Sequence, residues 1–170
     1  MNNLIAYQGK MPLLHSSVFV AEGAKIIGNV EIEEDSSIWF NAVIRGDVNY
    51  IRVGSRTNIQ DNSVLHVTSK TAPLNIGSDV TLGHNAVLHG CTIKNFCLIG
   101  MGAIVMDGAE IQNYSMVAAG ALVPEGFVVP EGMLVAGLPA KIKRQLTEQE
   151  RHFLRQTAAH YVCYSQSYRS

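Results

Sequence analysis

Three of the chain's six histidines, His66, His84 and His89, fall within twenty-four residues. Imidazole is the commonest metal-ligating side chain and titrates between pH 5 and 8, so such a cluster points to metal binding or proton transfer. Upstream stands a second polar group, Arg45-Gly46-Asp47 followed by Asn58-Ile59-Gln60-Asp61. A guanidinium among carboxylates is held by bidentate bonds and keeps donors for an anion or for an oxygen that gains charge. The plainer role for Asp47 and Asp61 is a structural ion pair. His15, His152 and His160 lie outside both groups and read as ordinary surface residues.

Whether these groups meet depends on the elements that carry them. Every sixth residue from Ile93 to Val135 is Ile or Val, and the same beat runs through Val20, Ile26, Ile32, Ile38 and Ile44, then Val53, Ile59 and Leu65, then Ile76, Leu82 and Leu88. That period belongs neither to a helix nor to an ordinary strand; it builds a solenoid. With three flat faces per coil and one aliphatic rung per face, the nineteen rungs make a little over six coils, stacked ~4.8 Å apart in a triangular parallel β-helix. Small residues two positions before a rung, such as Ala42, Ala86 and Cys97, suit tight corners. Glycines just after a rung, at 54, 77, 83 and 100, are expected to supply positive φ there.

The beat breaks three times: nine residues separate Ile44 from Val53, eleven separate Leu65 from Ile76, and five separate Leu88 from Ile93. The eleven reads as one six-residue step plus a five-residue loop within Val67 to Asn75. On that reading Leu88 stacks one coil above Leu65, and His66 and His89, which follow those rungs, leave the same face at the same level. Two imidazoles one strand spacing apart can share a metal, since tetrahedral zinc with bonds of ~2.0–2.1 Å places its nitrogens ~3.3 Å apart. His84 takes a different slot near a neighbouring corner, and reaches such an ion only if three copies pack around a threefold axis. Arg45 and Gln60 also follow rungs, and are expected on the same outward surface as His66 and His89.

Composition fits one domain: 170 residues, 47% apolar, with thirteen basic and fourteen acidic side chains. The expected divisions are an N-terminal cap at 1–17, the β-helix at 18–136 and a C-terminal helix at 147–168. With no basic stripe, no nucleic-acid partner is expected. The start at Met1, Asn2 and Asn3 has no signal-like segment, and no stretch is long and apolar enough for a bilayer, so the expectation is a cytoplasmic chain with no membrane partner. Cys91 and Cys97 fall on successive corners, too far apart to bridge. Thr147 and Glu150 form a capping box for a helix from about Glu148 to Tyr168. Its apolar positions, Phe153, Leu154, Ala158, Tyr161, Val162 and Cys163, are expected to face the solenoid.

The strings Arg45-Gly46-Asp47, Asn58-Ile59-Gln60-Asp61, His66, Gly83-His84 and Leu88-His89-Gly90-Cys91 together resemble the γ-class carbonic anhydrase family. The similarity runs from Val20 to Arg144, through Gly137-Leu138-Pro139-Ala140-Lys141. It implies a mainly β fold, a left-handed parallel β-helix (hexapeptide-repeat solenoid) with a C-terminal α-helix, assembled as a homotrimer with metal between subunits. By the same resemblance His66, His84 and His89 are the ligands, Gln60 hydrogen-bonds the metal-bound water, and Arg45, Asp47 and Asp61 order the interface and bicarbonate site. The implied reaction is reversible hydration of CO2 to bicarbonate, with Zn2+ as the default ion and Fe2+ or Co2+ equally compatible with imidazole. An ion on three neutral imidazoles lowers the pKa of bound water to about 7 and so makes hydroxide available at neutral pH.

The chain departs from the best-characterised members at the proton-exit step. Val48 follows Asp47 where those members carry glutamate, and the segment from Val67 to Asn75 has no acidic residue where they carry an acidic shuttle loop. Tyr161 and Tyr164 remain as candidate carriers, although a phenol with pKa ~10 shuttles protons poorly at neutral pH. Three other readings use the same sequence: a metal-binding trimer that acts as a scaffold with little CO2 activity, a thioesterase-like hydrolase on the same ion, and a hexapeptide-repeat acyltransferase. The last generally uses a single histidine base and a long excursion loop.

Overall fold

A computed structural model describes residues 3–169; Met1 and Asn2, at which the expected cap begins, and Ser170 lie outside the described residues. The rungs line up into three columns by parallel pairing. One runs Ile26, Ile44, Leu65, Leu88, Val105, Val123. A second runs Ile32, Val53, Ile76, Ile93, Ile111, Val129. The third runs Val20, Ile38, Ile59, Leu82, Ile99, Val117, Val135. Apart from the half-buried Val20, every one of these side chains is buried, and they form one continuous aliphatic core. The strands Leu4–Ile5 and Leu13–Leu14 pair with Lys25–Ile32 below the first expected rung, and the solenoid makes about seven turns.

Register explains each break in the beat. A coil is normally eighteen residues, and the nine-residue step is six plus a three-residue bulge: Gly28 pairs with Gly46 and Val30 with Ile51, so Asp47–Tyr50 stand opposite the single residue Asn29. The eleven-residue step is the expected excursion, closed by an antiparallel bridge between Thr68 and Ala72. The five-residue step turns its corner at Gly90, with φ +55°.

Corner chemistry differs from the expectation. The left-handed residue lies three positions before a rung, and is often Asn or Asp: Asp35, Asn41, Asn62, Asp79 and Asn85 all have φ between 56° and 59°, a conformation these short polar side chains tolerate. The glycines after rungs serve close stacking instead. A Cβ on Gly100 would stand 2.4 Å from the backbone nitrogen of Ala119, and one on Gly83 would stand 2.7 Å from that of Met101.

The strand Met133–Ala136 pairs antiparallel with Lys141–Gln145, and helix α1 (Glu148–Ser167) then descends along the third face. The Thr147/Glu150 capping box is present. The buried positions of α1 are Leu154, Ala158 and Ser165, while Phe153 and Cys163 are exposed. The expected face is therefore rotated: Leu154, Ala158, Tyr161 and Ser165 hold the i, i+4, i+7, i+11 stripe. Trp39 fixes the far end, with Tyr161, Tyr164 and Tyr168 at centroid distances of 5.5, 5.3 and 5.4 Å. Cys91 and Cys97 are buried free thiols; burial pushes both pKa values up, that of Cys97 to about 12, so neither is a nucleophile at neutral pH.

Candidate metal centre

His66 and His89 are cross-strand partners in the first column, and their rings meet with His66 Nδ1 3.0 Å from His89 Nε2. Each ring turns its other nitrogen to a carboxylate. His66 Nε2 is 3.0 Å from Asp47 Oδ1, and His89 Nδ1 is 2.5 Å from Asp107 Oδ1. An ionised carboxylate only accepts, so the outer nitrogens carry the protons. Neutral imidazole has one N–H, which leaves the two inner nitrogens with lone pairs facing each other. Only a cation between them, a proton or a metal ion, makes that contact favourable.

Burial opposes the charge on Asp47, but hydrogen bonds from Arg45 and His66 outweigh it and hold the carboxyl below its ordinary value. Asp107 behaves alike: burial raises, and the bonds from His89 and Thr68 lower it further than burial lifts it. Arg45 Nη1 donates to Asp47 Oδ2 at 2.5 Å, and 44% of the arginine side chain stays exposed. The three-residue bulge after Gly46 lets Asp47 satisfy arginine and histidine at once.

The remaining expected residues form a second cluster. His84 Nδ1 lies 2.7 Å from Asp61 Oδ2, and its side chain is 42% exposed. Gln60 is buried beside it, its Nε2 donating to Asn58 Oδ1 at 3.0 Å while Asn58 in turn donates to Thr81 Oγ1 at 2.9 Å. Gln60, His84 and Tyr161 line one groove of about 400 Å³ between the third face and α1. The expected single surface is thus two: Arg45 and the His66/His89 pair follow first-column rungs, whereas Gln60 follows Ile59 in the third. The alternation of faces every six residues, overlooked by counting only the slot after a rung, is the reason. Tyr164 is engaged with Trp39 rather than with the groove. Burial, with the charge of Asp61, raises the Tyr161 pKa above its ordinary value, so this phenol stays protonated at neutral pH.

Within one chain, and among the described residues, no group of three His, Cys, Asp or Glu side chains converges as a metal site. The donor chemistry nevertheless fits one: all three histidines set one nitrogen on a carboxylate and keep the other for a ligand, the arrangement that orients metal-bound imidazoles. Asp107 and Thr68 were not singled out from the sequence as members of the site, and Asn58 was named within the Asn58–Asp61 string without a role of its own. Asp107 lies two positions past Val105, the rung that pairs with Leu88 over a coil shortened to seventeen residues, which brings its carboxylate beside His89.

A probable carbonic anhydrase from Methanocaldococcus jannaschii is 50% identical over 158 residues, which cover 93% of this chain and 99% of that protein. Gamma carbonic anhydrase 2, mitochondrial, from Arabidopsis thaliana is 46% identical over 166 residues. The chain belongs to the γ-class carbonic anhydrase family. It spans about 60% of the length of the Arabidopsis member and nearly all of the archaeal one. No protein-family model matches the sequence. Among solved structures, a hexapeptide transferase family protein from Anaplasma phagocytophilum superposes with a TM-score of 0.94 at 45% identity, over 97% of both chains. Among the described residues no helix is long and apolar enough to cross a membrane.

Proposed function

We propose that the chain hydrates CO2 reversibly to bicarbonate at a metal centre shared between copies of itself in a homotrimer, with His66 and His89 from one copy and His84 from the next as ligands. The observation that carries this reading is the facing pair of imidazole nitrogens, each ring anchored to its own carboxylate. Family membership supplies the reaction class. Beside the pair an aliphatic column, Val43, Val64, Val87, Ile104 and Leu122, faces outward, a strip suited to cover by a second copy. A divalent ion held there, Zn2+ by default and Fe2+ or Co2+ by the same donor chemistry, supplies the Lewis acidity that makes water nucleophilic at neutral pH.

The chain's own residues do the rest. Asp47, Asp61 and Asp107 hold the imidazoles in one orientation. Gln60, its amide nitrogen committed to Asn58, offers its carbonyl oxygen to orient the attacking water. Arg45, fixed by Asp47, directs its remaining donors at the anion formed from CO2. Each turnover also leaves a proton. Val48, 45% exposed on the bulge, cannot carry it, and Tyr161 keeps its own, so solvent buffer takes the proton away and limits the rate.

The acyltransferase reading is disfavoured, because the excursion is only five residues and closes on itself at Thr68 and Ala72. Stopped-flow CO2 hydration at several imidazole concentrations, with metal content measured on the same anaerobically purified sample, tests the proposal. Turnover that rises with imidazole and scales with bound metal supports it. Bound metal without turnover at any buffer concentration points instead to a scaffold or a thioester hydrolase.

A further inference from the structure

We propose that Asp107 is the positioning residue of His89, and that Thr68, at the base of the five-residue excursion, locks Asp107 in place. The inference rests on the metal reading for its consequence but not for its geometry. Asp107 Oδ1 accepts from His89 Nδ1 at 2.5 Å, and Oδ2 accepts from Thr68 Oγ1 at 2.5 Å across thirty-nine residues of sequence. Both carboxylate oxygens are therefore engaged, one by the ring it orients and one by the excursion.

Two irregularities of the lattice meet here. Three coils converge at Gly90: its amide donates to His66 O at 3.0 Å, and its carbonyl accepts from the amide of Gly108 at 2.8 Å. A Cβ on Gly90 would stand 2.7 Å from both Asp107 Oδ1 and Ala72 Cβ. The shortened corner and the absent side chain thus make room for Asp107 and the excursion's base to close on His89. The contact commits the His89 proton to Nδ1 and leaves the lone pair on Nε2, the nitrogen that faces His66.

The test uses full-length protein labelled with 15N-histidine and freed of metal, at pH 8. Long-range 1H–15N spectra report which nitrogen of His89 is protonated, with the resonance assigned from His89→Gln. Wild type is expected to carry the proton on Nδ1. Asp107→Ala should move it to Nε2, and Asp107→Asn, which keeps an acceptor oxygen, should restore Nδ1. Titration with Co2+ should give a tenfold to hundredfold weaker affinity for Asp107→Ala, with Asp107→Asn nearer wild type and Thr68→Val between them. An unchanged His89 tautomer and unchanged Co2+ affinity in a folded Asp107→Ala protein would overturn the assignment. If that variant does not fold, the same null result in the near-isosteric Thr68→Val overturns it. Because the tautomer is read without metal, a failure of CO2 turnover leaves this test standing.

Discussion

His89→Ala removes one of the two facing nitrogens, and is expected to abolish both CO2 hydration and stoichiometric metal retention, measured by stopped flow and metal analysis on one preparation. Gln60→Ala leaves every histidine in place, so metal content should hold while turnover falls about tenfold or more, the range for losing an outer-shell partner. Equal loss of metal in Gln60→Ala would place Gln60 in the ligand framework instead. At this scale the sequence was most legible where arithmetic was enough. The stacking of His66 and His89 follows from the six-residue beat once the five-residue excursion is set aside. Asp107 escaped because a lone aspartate two positions past a rung carries no motif, and the coil that joins it to His89 is seventeen residues rather than the regular eighteen. The left-handed asparagines at the corners escaped for a related reason, since the chain there selects for short polar side chains as readily as for glycine.

The coil and the helix answer to different physics. Leu88, a fully buried rung, has aliphatic neighbours above and below in its column. Leu88→Ala should cost about 2–5 kcal/mol by denaturant unfolding, and a loss under 1 kcal/mol would mean that the column relaxes into the gap. At the start of α1 the Arg144 guanidinium, followed by the Thr147 backbone N–H, holds the Glu150 carboxyl at about 2. A depressed folded pKa contributes stability that is present above the ordinary carboxylate value and lost as pH falls toward 2. Wild type should therefore unfold at higher urea than Glu150→Gln at pH 6, with the gap closing between pH 4.5 and 2. A gap independent of pH would assign the effect to the hydrogen-bonded shape of the cap rather than to its charge. The helix and its capping box were readable from Thr147 and Glu150. Its buried face was not, because aromatic Phe153 scores as apolar while packing against Trp39 decides which side of α1 turns inward.

For the whole molecule, the six-residue beat contained nearly the entire architecture, and each departure from it maps onto the site: the bulge carries Asp47, the excursion carries Thr68, and the short corner accommodates Asp107. What single-chain reasoning misassigned was the placement of Gln60, which belongs with His84 and Asp61 on a surface other than that of the His66/His89 pair. Two half-sites facing outward from one solenoid make sense if copies of the chain complete each other, and that is the central claim. His84→Ala and His89→Ala proteins each lack an intact set as homotrimers. Unfolded together at equal amounts and reassembled, they should form mixed trimers in which about a quarter of the interfaces join an intact His66/His89 pair to an intact His84. Stopped-flow CO2 hydration of the mixture is the decisive measurement: recovery to about a quarter of the wild-type rate is predicted, whereas a mixture that assembles into trimers yet stays at the background of either variant alone would contradict a shared centre.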